Sequence, residues 1–384
     1  MSAAHRVRRV AVITGTRAEY GLLRSVMQAI RSTRSLRLQT IVAGMHLLRR
    51  FGVTARSIER DGFVIDARVP MQRGDDATTD QGFGLGRGVC GITRALEKNR
   101  SDIVVVLGDR IEAMAGALAA VTTGRVLAHI HGGDLAPGDF DDSLRHAITK
   151  LAHIHFPATK ASARRIIRMG ESPHRVHVVG APGLDRLRTL AEEYRGRKRK
   201  HGDQKTALIV YHACGRSATF EQRVMGAILR AVDRAGLSAT CIYPNSDRGF
   251  SGVVSALERF RDRCDPHRFR FVKSLQRDDF LRALLEADLI VGNSSCGIIE
   301  ACTAGTATVD IGPRQRGREV SGKSVVHVDE DYGAICEGIV QALRKRPIIA
   351  ARSVYGEGCA GKLIAEHLKT FSMTSPATRK LNAY

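Results

Sequence analysis

The sequence predicts an α/β protein made of two successive doubly wound domains, each a parallel sheet covered by helices on both faces. The length of 384 residues suits two domains of ordinary size. Short β-branched runs alternate with helical patterns, and the alternation stops at one charge-rich stretch and then restarts. We therefore predict Rossmann-like domains at residues 1–185 and 206–350, joined by a basic linker at 186–205. Residues 351–384 are predicted to form a helix that packs back on the first domain, followed by a frayed tail.

The first half combines strand patterns with three helical patterns. Residues 20–31 place five apolar side chains on one helical face, which predicts an amphipathic helix. Further helices are predicted at 111–121 and from Asp142 onward. Strand–helix alternation of this kind favours a parallel sheet. The predicted strands are residues 9–14, 36–42, 102–107, 125–130, 153–156 and 175–179.

The segment 81–88 is rich in glycine but does not directly follow a convincing strand, so a nucleotide-binding fingerprint is not indicated. We predict a flexible loop there, entering a helix near Ile92. In the second half a helical run is predicted at 296–304. The predicted strands of that half are residues 206–211, 239–243, 269–273, 288–291, 307–311 and 324–328.

The formal net charge of +21 raises the question of nucleic-acid binding. The arginines are spread along the chain, aromatic residues make up 5% and tryptophan is absent, so base-stacking platforms would be scarce. The positive charge is better explained by an arginine-rich background composition together with a site for a polyanionic small molecule than by nucleic-acid binding. We predict no nucleic-acid partner and keep nucleic-acid binding as a minority alternative.

The sequence also bears on compartment and redox state. No stretch approaches the ~18 uncharged apolar residues needed to span a bilayer, and the apolar run at 10–14 is too short for a signal peptide. We predict a cytoplasmic protein with no membrane partner. The eight cysteines are scattered singly, without a Cys-x-x-Cys pair, so neither a zinc site nor a disulfide scaffold is indicated.

Polar residues follow the ends of several predicted strands, which is where ligands bind in open parallel sheets. If two such sheet edges face each other, they form a cleft that holds the ligand between the domains. The segments are residues 15–20, 108–112 and 131–134 in the first half, and residues 212, 244–247 and 292–295 in the second.

Ser294 and Ser295 precede the predicted helical run, and the N-terminus of a helix favours phosphate. Helix capping would explain one serine. The neighbouring glycine and Glu300 favour a diphosphate site, with Glu300 accepting hydrogen bonds from ribose hydroxyls; the alternative for Glu300 is an ordinary carboxylate on a helix surface.

Asp141 and Asp142 open the third predicted helix of the first half, and either could be its N-cap. They follow a glycine-containing loop at a strand end, where catalytic groups tend to lie. Two carboxylates and His146 could alternatively supply acid–base chemistry there.

Six motifs recur in a characteristic order: residues 14–21 (TGTRAEYG), 107–110 (LGDR), 129–134 (HIHGGD), 141–150 (DDSLRHAITK), 292–300 (GNSSCGIIE) and 311–318 (IGPRQRGR). On these motifs the chain resembles the hydrolysing UDP-N-acetylglucosamine 2-epimerases of bacterial sialic-acid and related nonulosonic-acid pathways. The resemblance covers nearly the whole chain. Any one motif alone would be weak evidence for the family, whereas six motifs in the right order are specific evidence for it.

The resemblance implies a glycosyltransferase-B-like fold with UDP in the interdomain cleft, no metal, no nicotinamide cofactor, and a homodimer or homotetramer. It also implies a reaction in which anti elimination of UDP gives a glycal, which then takes up water to release the free sugar with C2 inverted. The products would be UDP and N-acetylmannosamine or a substituted relative.

The same resemblance assigns site residues. Asp109 and Asp141 are the expected catalytic carboxylates, with Asp134 as a third, and His131 belongs to the same group. The residues directed towards the diphosphate are Arg17, Arg110, His212 and Arg314. Those expected near the uridine or its phosphates are Asn245, Asp247, Ser294, Ser295 and Glu300.

Some positions depart from the family pattern. Asp134 stands where glutamate is usual, and His212 is followed by Ala213-Cys214 in place of the usual proline. The same reaction on UDP-N,N'-diacetylbacillosamine is therefore an alternative. A UDP-sugar-dependent glycosyltransferase and a non-catalytic UDP-sugar sensor remain open; the non-hydrolysing epimerase branch matches the motifs less well.

Overall fold

The computed structural model describes residues 7–77, 79–137, 140–194, 204–344, 353–374 and 378–383. The chain divides into two compact units. Unit 1 comprises Met1–Asp134, Phe140–Asp185 and Gly356–Tyr384, and unit 2 comprises Leu135–Asp139 and Arg186–Tyr355.

Unit 1 contains a six-stranded sheet in the order β3-β2-β1-β4-β5-β6, in which every neighbouring pair is parallel. All five residues of β4 are apolar and all five residues of β5 are buried, because a parallel sheet is covered on both faces. The strands are β1 (Arg8–Thr14), β2 (Leu36–Ala43), β3 (Ala67–Val69), β4 (Ile103–Leu107), β5 (Val126–Ile130) and β6 (Ile154–Phe156). The strand order reverses between β1 and β4, which is the position where doubly wound sheets bind ligands.

Helices cover both faces of this sheet, with one apolar cluster on each side. They are α1 (Arg17–Ser32), α2 (Ala55–Arg60), α3 (Asp80–Asn99), α4 (Ile111–Thr122), α5 (Asp141–Leu151), α6 (Lys160–Arg168) and, from the end of the chain, α14 (Ala360–Thr370).

Unit 2 repeats the topology. Its parallel sheet has the order β12-β11-β10-β7-β8-β9, so the reversal falls between β7 and β10. The strands are β7 (Thr206–Val210), β8 (Ser238–Ile242), β9 (Phe269–Val272), β10 (Leu289–Gly292), β11 (Ala307–Ile311) and β12 (Val325–Val328). The helices are α8 (Ala218–Arg234), α9 (Phe250–Arg261), α10 (Arg277–Glu286), α11 (Cys296–Ile299), α12 (Ala301–Ala304) and α13 (Tyr332–Arg344).

The predicted α/β class with two Rossmann-like sheets is thus confirmed, but several predictions of individual elements were wrong. Residues 175–179 do not form a strand; one parallel bridge joins Val176 to His155. The remaining strand of the sheet is β3, whose three residues are too short to produce a detectable pattern.

The glycine-rich segment 81–88, predicted as a flexible loop, lies inside α3. Glycine is tolerated here because the helix packs closely against β3 and the residues after it. A Cβ atom at Gly88 would overlap the side chain of Met71, and one at Gly91 would overlap Val69. Close packing therefore explains Gly88 and the nearby Gly91, whereas a Cβ atom at Gly82 or Gly86 would meet no neighbouring atom.

The segment predicted as a linker, 186–205, begins inside a helix, because α7 spans Gly183–Tyr194. Residues 195–203, which contain its most basic part, lie outside the described residues.

The C-terminal helix α14 packs against α1 in unit 1. Ala360, Ile364 and Leu368 are buried in the apolar cluster that α1 also lines. A Cβ atom at Gly361 would lie 2.8 Å from the backbone of Ser25. The close approach of α14 to α1 therefore requires glycine at this position.

Residues 378–383, predicted as part of a frayed tail, are instead attached to unit 1. Lys380 pairs with the buried carboxylate of Glu171, and the N–H of Ala383 donates to the carbonyl oxygen of Gly170 over 2.8 Å. Lys150 also donates to Asn382 Oδ1 over 2.7 Å. A buried carboxylate needs cationic partners, and the tail supplies one of them.

Among the described residues, no helix combines the length and apolar character required to cross a bilayer.

Candidate active site

The carboxyl ends of β4 and β5 bring four polar side chains into one buried network. Arg145, which projects from α5 and is 3% exposed, donates from one terminal nitrogen to Asp109 Oδ2 and from the other to the carbonyl oxygen of His131 over 3.1 Å. Asp109 follows β4, and His131 follows β5. The guanidinium group therefore joins the ends of two neighbouring strands and fixes the position of the Asp109 carboxylate.

Asp134 holds the ring of His131. His131 Nδ1 lies 3.0 Å from Asp134 Oδ2, and Ser162 Oγ donates to Asp134 Oδ1 over 2.7 Å. His131 adopts a positive φ of 61°, a conformation that is uncommon outside glycine. A carboxylate that accepts from Nδ1 selects the histidine tautomer and orients the ring. Asp134 is 4% exposed, whereas the side chain of Asp109 is 18% exposed.

Asp141 and Asp142 occupy the first turn of α5, and neither is the N-cap. The N-cap is Phe140, which makes no side-chain capping bond, so the capping explanation for the aspartates was wrong. Asp142 Oδ2 lies 3.8 Å from Nε2 of His146, and burial lowers the pKa of that histidine. Two carboxylates at the start of a helix are stabilised by its dipole. The same helix thus carries Asp141 and Arg145, four residues apart.

Arg17 begins α1 directly after the β1 turn. Thr16 caps this helix by accepting from the N–H of Glu19 over 3.3 Å, and Glu19 completes a capping box. Burial lowers the pKa of the Arg17 guanidinium to about 10. Arg110, after β4, is largely buried, and its Nε lies 3.4 Å from Oε2 of Glu112. Both predicted anion-binding arginines of unit 1 therefore lie at the strand-order reversal.

In unit 2, the side-chain amide of Asn293 joins the ends of β7 and β10. It donates to the carbonyl oxygen of His212 and accepts from the N–H of His212, both over 2.8 Å. The N–H of Asn245 donates to His212 Nδ1 over 3.3 Å, so the loop after β8 joins the same point. Because Nδ1 accepts, the proton of a neutral His212 ring resides on Nε2.

Ser294 and Ser295 precede α11, which is four residues long. Ser295 is its N-cap but makes no side-chain capping bond, so capping does not explain the pair. Glu300 is 3% exposed and pairs with Arg277, so the alternative of an ordinary surface carboxylate was wrong. Arg314 Nη2 lies 3.5 Å from Oδ2 of Asp247.

Several supporting residues were not assigned a role from the sequence. They are Arg145, Ser162, Asn293, Arg277 and Glu112. Arg145 and Asn293 lie within motifs, and the position of Arg145 one helical turn after Asp141 was a usable signal. Ser162 and Arg277 lie outside every motif, and nothing in their local sequence marks them.

These features define a class: two Rossmann-like sheets, the first with a buried carboxylate–arginine–histidine network at its strand ends and the second with an asparagine that joins two strand ends. The fold is shared with the S. aureus MnaA–UDP co-structure, with a TM-score of 0.79 at 17% identity over 98% of this chain and all of that one. The family model described as UDP-N-acetylglucosamine 2-epimerase matches residues 28–369, and the chain belongs to that family.

Two relatives support this membership at the sequence level. The UDP-N,N'-diacetylbacillosamine 2-epimerase (hydrolyzing) of Legionella pneumophila is 35% identical, with 98% of this chain and 100% of the relative covered. The UDP-N-acetylglucosamine 2-epimerase of Neisseria meningitidis is 32% identical over 88% of each chain.

Proposed function

We propose that the protein is a hydrolysing 2-epimerase that converts a UDP-linked 2-acetamido sugar and water into UDP and the free sugar with C2 inverted. The observation that carries the proposal is the joining of Asp109, Arg145, His131 and Asp134 at two adjacent strand ends, in a chain of the epimerase family.

The substrate dictates the order of events. The C2–H bond is not acidic, because no carbonyl is attached to C2. Cleavage of the C1–O bond to UDP therefore leads, and positive charge develops at C1. A carboxylate then removes the C2 proton, which gives a C1=C2 double bond. Water adds its hydroxyl at C1, and a proton returns to C2 on the opposite face.

The network in unit 1 suits the proton transfers. Asp109 and Asp141 are proposed as the carboxylates that remove and return the proton. Arg145 holds Asp109, and Asp134 with its partner Ser162 orients His131. Asp134 has both oxygens engaged, which favours an orienting role over proton abstraction.

The arginines and the loops of unit 2 are proposed to act on the nucleotide. Cationic groups stabilise the negative charge that develops on the leaving diphosphate. The proposed ligands of the diphosphate are Arg17, Arg110, His212 and Arg314, and those of the uridine and ribose are Asn245, Asp247, Ser294, Ser295 and Glu300.

We propose UDP-N,N'-diacetylbacillosamine as the preferred substrate, because the relative with that activity in its name aligns with essentially the whole chain at 35% identity. The second candidate is UDP-N-acetylglucosamine, favoured by the Neisseria meningitidis relative at 32% identity. Both follow the same chemistry and differ in the substituents at C4 and C6.

The test is to incubate the protein with each sugar nucleotide in D₂O and to follow the products by proton NMR. We expect UDP together with a free manno-configured sugar that carries deuterium at C2, formed faster from the diacetylbacillosamine nucleotide. UDP release with C2 configuration and protium retained would refute epimerisation. Release of sugar only when an acceptor is added would indicate a glycosyltransferase.

A further inference from the structure

The loop after β7, residues 211–217, carries His212 and leads into α8. It contains no proline, and Gly215 has a φ of 77°, a conformation that glycine adopts readily. Its backbone therefore has little stiffness of its own, because proline is the residue that fixes φ. The loop depends on side-chain contacts for a fixed shape.

Arg216, near the end of this loop, is bonded through every nitrogen of its guanidinium group. Nη1 and Nη2 each donate to one carboxylate oxygen of Glu330. Nε donates to Glu221 Oε1 over 3.2 Å, and Nη2 also donates to Tyr211 Oη over 3.3 Å. An arginine that bonds a carboxylate through both terminal nitrogens is held in one orientation. Arg216 therefore has a fixed position between two carboxylates.

Glu221, in the first turn of α8, holds the loop on its inner side. Its carboxyl group is fully buried. In addition to Arg216, Oε1 accepts from the N–H of Cys214 over 2.9 Å, and Oε2 accepts from the hydroxyl of Tyr211 over 2.8 Å. A buried carboxylate needs hydrogen-bond donors, and these three all come from the loop. The loop is thus anchored to α8 at its start, middle and end.

Glu330, in the segment after β12, packs against the turn after β11. A Cβ atom at Gly312 would lie 2.5 Å from Glu330 Oε1, the oxygen that accepts from Arg216 Nη2. Gly312 opens the turn that carries Arg314, and its N–H donates to the carbonyl oxygen of Val328 over 2.9 Å. The ion pair therefore links the loop after β7 to the turn after β11.

This ion pair differs from an ordinary surface salt bridge. The side chains of Arg216 and Glu330 are 29% and 14% exposed, and the guanidinium group lies over the ring of Phe220, 4.2 Å from its centroid. An exposed pair contributes little, because water and salt screen it and two mobile side chains have to be ordered. Bonding through both terminal nitrogens and cover by an aromatic ring reduce both weaknesses. The pair can thus hold two segments at a fixed distance.

We propose that the Arg216–Glu330 ion pair is a positioning element for diphosphate binding, which sets the spacing between the loop after β7 and the turn after β11. The inference rests on the proposed function, since that function assigns the diphosphate to these two segments of unit 2. Segments that are already held at the correct spacing bind a ligand without a further loss of conformational freedom. Arg216 and Glu330 act through the segments that they hold.

The test measures the affinity for UDP by calorimetry and for uridine, which lacks both phosphates, by NMR titration. The wild type is compared with Glu330→Gln, Arg216→Met and the double variant. Glu330→Gln keeps the shape of the side chain and removes its charge. We expect each single substitution to weaken UDP binding by about tenfold and uridine binding by less than about twofold, because the spacing of the diphosphate segments is lost. The double variant should bind UDP within about twofold of the weaker single variant, because the two residues act as a pair.

The matched control is Asp233→Asn. Asp233 pairs with Arg268 Nη1 over 2.9 Å, next to the start of β9 and thus at the amino end of the same sheet. This substitution should leave both affinities unchanged. Arg216→Lys keeps the charge without the two parallel bonds and should restore only part of the UDP affinity that Arg216→Met loses.

Three results would overturn the proposal. They are an unchanged UDP affinity in Glu330→Gln, equal losses of UDP and uridine affinity in that variant, and additive losses in the double variant. Equal losses would show a general loosening of unit 2. If Arg216→Met fails to fold, Glu330→Gln and Arg216→Lys decide the question.

The failure of the proposed function is seen separately, in turnover. A wild type that binds UDP but releases none from either sugar nucleotide would refute the epimerase assignment. The UDP and uridine affinities of the variants would still support or overturn the role of the ion pair.

Discussion

The strand ends of the two units share one topology and differ in chemistry. In unit 1 they carry buried, titratable groups: Asp109, His131 and Asp134 in one network and Glu19 with Glu112 beside it. In unit 2 the central connection is neutral, with the amide of Asn293 bonded to the backbone of His212. We therefore propose that unit 1 carries out the proton transfers and that unit 2 presents the loops that bind the nucleotide.

The largest loss of activity is expected when Asp109 is replaced. Asp109→Asn should lower kcat by roughly 10²–10⁴-fold, because the carboxylate loses its ability to accept a proton. Affinity for UDP, measured by calorimetry, should change little. The matched control is Asp102→Asn at the opposite end of β4, where Asp102 Oδ2 accepts from the N–H of Arg9 over 2.8 Å. Unchanged turnover in Asp109→Asn would remove Asp109 from the mechanism.

Acid should destabilise unit 1 before unit 2. Burial lowers the pKa of His46 and of His129, both in unit 1, to about 3, against about 6.5 when unfolded. The unfolded chain therefore binds more protons between pH 6.5 and 3, and stability falls as the pH is lowered through that window, by about 1.4 kcal/mol per pH unit for each group. Hydrogen exchange measured from pH 6.5 down to 4 should show that amide protection is lost first in unit 1. Earlier loss of protection in unit 2 would contradict the predicted difference in acid stability between the units.

Glu19 has the opposite effect on how the stability of unit 1 depends on pH. Its pKa of about 8 exceeds its ordinary value, so the folded chain holds the extra proton between about pH 4.5 and 8, and stability falls as the pH rises through that range. In Glu19→Gln this slope should flatten when thermal midpoints are recorded at pH 6, 7 and 8. An unchanged slope would mean that Glu19 is ionised in the folded protein.

In unit 2, Asn293→Ala should weaken UDP binding by about tenfold and cost about 1–3 kcal/mol of stability, because two buried backbone groups of His212 lose their partners. Calorimetry with UDP and thermal melting measure the two effects. Gln204→Ala, which removes an exposed amide of the same unit, serves as the control. A fall in kcat with unchanged UDP affinity would break the proposed division between the units.

The smallest effect is expected for Ser162→Ala, which removes one hydrogen bond to Asp134. We expect kcat to fall severalfold with unchanged affinity for UDP, because Asp134 is held less firmly. Ser101→Ala is the control: its hydroxyl donates to Gln39 over 2.6 Å at the amino end of β4. Equal effects of the two substitutions on kcat would remove the positioning role of Ser162.

The sequence predicts the sheets well because the buried strands are short runs dominated by apolar, often β-branched residues, of which β4 is the clearest. The prediction fails at β3, which is too short, and at α3, where the glycines indicate a loop although Gly88 and Gly91 serve close helix packing. Strand ends were located correctly, since polar residues follow each apolar run. Partners such as Ser162 and Arg277 could not be predicted, because they reach the site from helices distant in sequence.

The discontinuous make-up of unit 1 bears on how the chain acquires its structure during synthesis. Unit 2 is contiguous from Arg186 to Tyr355 apart from a short segment, whereas unit 1 needs residues from Gly356 onward. Until these emerge, α1 lacks the cover supplied by Ala360, Ile364 and Leu368. Exposed apolar surface on a nascent chain favours aggregation and chaperone binding. The later-made unit can therefore complete its core first, and the N-terminal unit waits for the last helix.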